Sequence, residues 1–206
     1  PEYTRAMSMW RNTDCVESWS WEDCDGNKTN ITIYASGASV ELILNGRSLG
    51  KKKVKEGKAI FKNVKYIPGK IEAVNLDATG KEIGRTALQS AIGNTILKLE
   101  ADKKQLRPNG QDLCFIELSL VGENGILKMN ADTEINVRIS GAGTLQGFGS
   151  AVPNTENSFI SGIYTTYRGR ALIAVRTGYE EGEIHVSVSA DGISEQTINI
   201  QVKGEE

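Results

Sequence analysis

The sequence predicts an all-β protein made of two tandem β-sandwiches. Apolar residues recur at every second position in short runs, the period of a strand with one buried face. Turn signals separate these runs roughly every 8–12 residues, the spacing of a sandwich or barrel. No helical pattern of about 10–15 residues intervenes, which argues against a parallel α/β sheet. With 206 residues the chain has room for two domains of about 100 residues each, the usual size of an immunoglobulin-like sandwich.

The first half reads as a meander. Ile31, Ile33 and Ala35 alternate, followed by Val40, Leu42 and Leu44 with Glu41 and Ile43 between them. Asn45-Gly46 supplies two residues suited to positive φ, so a tight hairpin follows and a lysine-rich return strand starts at Arg47 and continues over Lys51–Lys55. Further strands are expected at Ala59–Val64, Ile71–Leu76 and Ile83–Leu88. Asp25-Gly26-Asn27, Ser36-Gly37, Glu56-Gly57, Pro68-Gly69 and Thr79-Gly80 are the turns between them.

Gln89 to Asn94 is a short stretch of small residues suited to a linker, so the first sandwich is placed at 15–91 and the second at 95–203. Residues 1–14 fall outside both. The second unit offers Leu97-Leu99-Ala101, Cys114-Ile116-Leu118-Leu120, Ile135-Val137-Ile139, Leu172–Val175, Ile184-Val186-Val188 and Ile198-Ile200-Val202. The glycines at 141, 143, 147 and 149 do not follow the G-x-G-x-x-G spacing, and no helix pattern follows them. They are read as a turn between strands rather than a phosphate cradle.

A net charge of -2 gives no footprint for nucleic acid or an anionic membrane, and no apolar run approaches the roughly 20 residues of a transmembrane helix. The chain opens at Pro1-Glu2-Tyr3 without a signal peptide, as an excised segment does. Three cysteines are too few for a disulfide framework; Cys15 and Cys24 flank a tryptophan pair, but buried free thiols are the favoured reading. One histidine and these cysteine spacings match no zinc pattern, and no cofactor is implied.

Several stretches share a wording. Val40-Glu41-Leu42-Ile43-Leu44-Asn45-Gly46-Arg47-Ser48-Leu49-Gly50 resembles the "VELxLNGxSLG" segment that follows the catalytic barrel in bacterial β-galactosidases of glycoside hydrolase family 2. Ser18-Trp19-Ser20-Trp21 resembles that family's paired-tryptophan strand, and Tyr66 to Val74 its "Y-x-P-G-x-L-x-A-V" strand. In the second half, Leu99 to Ile116, Ser140 to Gly147 and Tyr167 to Arg176 resemble segments of the family's terminal immunoglobulin-like domain. The resemblance runs from about Trp10 to Val202 and makes residues 1–14 a remnant of the barrel's last helix and exit. It implies a non-catalytic tail whose partner is the catalytic barrel of the same parent chain, in a bacterial protein exported to the periplasm or secreted.

Candidate chemistry is sparse. His185 lies on the polar face of its strand with no Ser, Cys or Asp motif near it. The acidic clusters Glu22-Asp23-Cys24-Asp25 and Glu180-Glu181-Gly182-Glu183 read as solvated turns, without EF-hand spacing and without a match to the barrel strands that carry the family's carboxylate pair. No catalytic residue and no metal ligand is assigned. Asn27-Lys28-Thr29 and Asn30-Ile31-Thr32 are glycosylation sequons that a bacterial protein leaves bare. Trp19 and Trp21 are the binding candidates: two apart on a strand, they share a face that can stack on a sugar. A buried pair speaks for a packing role; an exposed, coplanar pair speaks for a carbohydrate-binding or adhesion module, the alternative function.

Overall fold

A computed structural model describes residues 15–204, among which every regular element is a strand. The expected barrel remnant at 1–14 lies outside the described residues.

In the first half the strands are β1 (Lys28–Tyr34), β2 (Ser39–Leu44), β3 (Arg47–Lys53), β4 (Lys58–Lys65), β5 (Lys70–Leu76) and β6 (Glu82–Gln89). They form a four-stranded antiparallel sheet, β3-β2-β5-β6, facing a two-stranded ribbon, β1-β4. Alternation decides the faces: Val40, Leu42 and Leu44 point inward to meet Ala59 and Phe61 from the ribbon. The Asn45-Gly46 hairpin turns as expected, with φ of 49° and 79°. Asn45 also serves a second turn, because its side chain donates to Pro68 O (2.9 Å) and accepts from Lys70 N (2.7 Å). A Cβ at position 69 would collide with that amide, so two motifs far apart in sequence interlock around Gly69.

In the second half the strands are β7 (Ile96–Ala101), β8 (Gln105–Leu106), β9 (Leu113–Val121), β10 (Glu134–Gly141), β11 (Gly143–Gly149), β12 (Ile163–Thr165), β13 (Arg170–Thr177), β14 (Gly182–Ala190) and β15 (Ile193–Val202). A four-stranded sheet, β11-β13-β9-β7, packs on a five-stranded one, β12-β10-β14-β15-β8. Ile116, Ile135, Ile173, Ile184 and Ile200 are completely buried between them. Each such side chain contributes about 1.5–3 kcal/mol on transfer from water.

Three sequence expectations are corrected. The glycine-rich stretch turns only around Ala142, between β10 and β11; Gly143–Gly149 is itself strand β11, bulged between Leu145 and Gly147. Glycine is required there by close neighbours, since a Cβ at 143 would meet Ile184 and Arg176 O, and one at 149 the Phe159 ring. Residues 18–21 form no ladder strand, because their backbone groups bond to loops and side chains instead. All three cysteines are free thiols, but only Cys114 is buried; Cys15 is exposed and Cys24 half-buried. Burial pushes the Cys114 thiol up to about 11, so it stays protonated at neutral pH.

Candidate functional site

Trp19 is the hub of the first half. It is 4% exposed, its indole N–H donates to Ile67 O (3.1 Å), and its ring lies tilted on Tyr66 at 4.9 Å between centroids. The Tyr66 hydroxyl accepts from Trp21 N (3.0 Å) and meets Ser90 Oγ (3.1 Å), and Ser90 Oγ donates to Trp19 O. Trp21 is half-buried against the same core. The two indoles do not present a shared open face, because Trp19 is buried.

The same segment ties the halves together. Ser20 O accepts from Met129 N (3.3 Å), Ser20 Oγ accepts from Ala91 N (3.0 Å), and Glu22 and Asn130 exchange two hydrogen bonds. Lys128, only 7% exposed in its side chain, reaches Glu22 Oε1 (3.3 Å) and Gly93 O (3.2 Å). Ile92 and Asn94 bond to Asn124 and Glu123. The stretch suited to a linker is therefore held from both sides. A small-residue composition signals permitted flexibility, but the bonding partners lie 29 to 71 positions away, invisible to local reading.

Beside this seam runs a groove of about 1140 Å³. Val16, Trp19 and Leu88 line it from the first half, and Leu127, Phe159 and Leu172 from the second. Its floor is the outer face of the β11-β13 pair, kept low by Gly147, Gly149 and Ala174. Leu172 on the outer face of β13 and Phe159 in the loop between β11 and β12 stand 48% and 52% exposed, unusual for large apolar side chains. The rim carries Glu117, paired with Arg170 at 3.3 Å, together with Glu17 and Arg168. What the groove offers is apolar area. Sequence reading missed it, although Ala171 to Val175 is apolar at both parities, the mark of a strand covered on both faces.

The remaining candidates have structural roles. His185 is exposed, with Nδ1 near Asn199 Oδ1 (3.1 Å) and Glu183 (3.5 Å). Glu22-Asp23 and Asp25-Gly26 are turns, and no group of acidic, cysteine and histidine side chains among the described residues has metal-binding geometry. Asp112 clamps the loop before β9: Arg107 donates to it at 3.0 and 3.1 Å and Asn109 at 2.9 Å, which holds its carboxyl well below the usual range.

Residues 97–199, half of the chain, match the model of glycoside hydrolase family 2 C-terminal domain 5. The chain belongs to glycoside hydrolase family 2. As a C-terminal region of that family, it carries in residues 26–84 a second match, to a domain of unknown function, DUF4982. A family 2 glycosyl hydrolase from Bacteroides cellulosilyticus superposes with a TM-score of 0.82 at 32% identity, covering 90% of this chain and 26% of that one. A β-glycosidase from Bacteroides vulgatus gives 0.76 at 26% identity, covering 91% and 24%. A β-galactosidase of Bacteroides ovatus is 24% identical across 98% of this chain and 24% of its own length. A β-glucuronidase of Formosa agariphila is 25% identical across 94% and 20%. The family 2 region described here thus spans about a quarter of its relatives.

Proposed function

We propose that this chain is the non-catalytic C-terminal part of a β-galactosidase-like glycoside hydrolase and that it supports the catalytic barrel of the same parent. The observation that carries this reading is the apolar groove beside the seam. An apolar surface of that kind on both halves is stabilised by being covered. Val16, close to the first described residue, lines the groove. Relatives of fourfold greater length are hydrolases, which supports a catalytic neighbour in the parent. The burial of Trp19 supports packing rather than sugar stacking for the tryptophan pair.

The test uses the parent enzyme. Leu172→Lys, which places a charge in the groove, is expected to lower the temperature of half-inactivation by roughly 3–5 °C with KM unchanged. The isolated chain is expected to hydrolyse no chromogenic galactoside. Unchanged inactivation in both Leu172→Lys and Ala174→Lys parents would overturn the supporting role. Saturable quenching of tryptophan fluorescence by galacto-oligosaccharides, lost in Trp21→Ala, would favour the carbohydrate module instead.

A further inference from the structure

The net charge of -2 conceals a separation of charge along the chain. Between Lys28 and Lys65 there are nine lysines and arginines against Glu41 and Glu56, a balance of +7. The fold sets three of these side chains, Lys52, Lys62 and Lys65, around one opening. β3 and β4 diverge from the turn closed by Lys55 and Lys58, and each joins a different sheet. Among the described residues β3 pairs only with β2 and β4 only with β1, so within them each has an unpaired edge. A cleft of about 600 Å³ opens where the two edges part.

The lining of this cleft is of two kinds. Leu44, Phe61 and Val64 form an apolar floor, with the exposed Leu49, Ile60 and Ile67 around it. Lys52, Lys62 and Lys65 supply ammonium groups that form no ion pair among the described residues, and no carboxylate lines the cleft. Lys52 stands opposite Val40 in the ladder, on the face turned toward the floor, while Lys51 and Lys53 lie on the other face.

We propose that this cleft binds an extended acidic peptide of another protein, added as a strand along the edge of β3. The free edge supplies main-chain hydrogen bonds, the apolar floor takes every second side chain, and the lysines take the carboxylates between them. This occupant uses all three features. A nucleic acid would leave the floor unused, since the lining has no arginine and its single aromatic ring, Phe61, is 3% exposed and offers no stacking platform. A neutral sugar would find Asn63 as the lone polar uncharged side chain. A membrane surface fits a convex apolar patch rather than a cleft. A second copy of β3 would set lysine against lysine, which is how charged edges refuse self-pairing.

The experiment is fluorescence polarisation of the 206-residue chain with a labelled, end-blocked decapeptide alternating glutamate and valine. Saturable binding is expected, weakened roughly tenfold or more in the triple variant Lys52→Glu/Lys62→Glu/Lys65→Glu. All three lysines are exposed, so that variant is expected to fold, which circular dichroism checks. N-methylation of alternate peptide nitrogens is expected to abolish binding, a loss that charge attraction alone would not produce. The proposal is overturned by no binding, by equal binding of polyglutamate or of polygalacturonate, by insensitivity to the triple variant, or by tolerance of N-methylation.

Discussion

In the second half of the molecule, eighteen side chains form one buried cluster across nine strands, whereas the first half closes over a cluster of eight. The second cluster is made almost wholly of residues from its own ladders. The first needs a plug from outside the strands, Trp19, together with Tyr66 and the Ser90 hydroxyl that fastens them. A six-stranded sandwich with a two-stranded layer leaves an open side, and one large indole held by hydrogen bonds fills it. Packing supplies stability in one region and a polar-anchored aromatic supplies it in the other.

The strongest way to break this contrast is Trp19→Ala. It is expected to cost about 3–5 kcal/mol in the first half. Hydrogen exchange would show lost protection in β2 and β5, with β9 and β13 protected as before; equal losses in both halves would make them one cooperative unit. Ile173→Ala is the converse, expected to cost about 2–5 kcal/mol and to weaken β9, β13 and β14 first. The same exchange data test the proposed boundary between 91 and 95, and limited proteolysis there should be slow because Ile92 and Asn94 are bonded.

Smaller substitutions sharpen the contrast. Ser90→Ala removes the hydroxyl that serves Trp19 O, Tyr66 OH and Gly69 N, and is expected to cost about 1–3 kcal/mol by urea denaturation followed through tryptophan fluorescence. Tyr164 gives the opposite case in the second half. It is fully buried, packed with Phe148 and Phe159, and its hydroxyl has no partner among the described residues. Tyr164→Phe is expected to leave stability unchanged or raise it by up to about 1 kcal/mol, read as the shift of the thermal midpoint. A loss above that would mean the hydroxyl is hydrogen-bonded in solution.

The ladder strands were legible because their alternation is local: Val40-Leu42-Leu44 and Ile184-Val186-Val188 announce both the strand and its inner face. The turns were legible for the same reason, Asn45-Gly46 above all. β11 was not, because glycine shortage of side chains looks like a turn until Ile184 and Phe159 are seen pressing against it. Trp19 and Trp21 were visible as important residues, but their burial depended on Tyr66 and Ser90, more than forty positions away. The lysine cleft was hidden by averaging, since whole-chain charge cancels what β3 and β4 concentrate.

The seam sets a rule for transplanting this region. Ser20 belongs by sequence to the first sandwich, yet its carbonyl holds Met129 of the second. A cut between the sandwiches would strip partners from both pieces, and a lengthened connection would release Lys128 from Glu22 and Gly93. The useful cassette for grafting is the pair with its entry segment, moved as a single block whose internal angle travels with it.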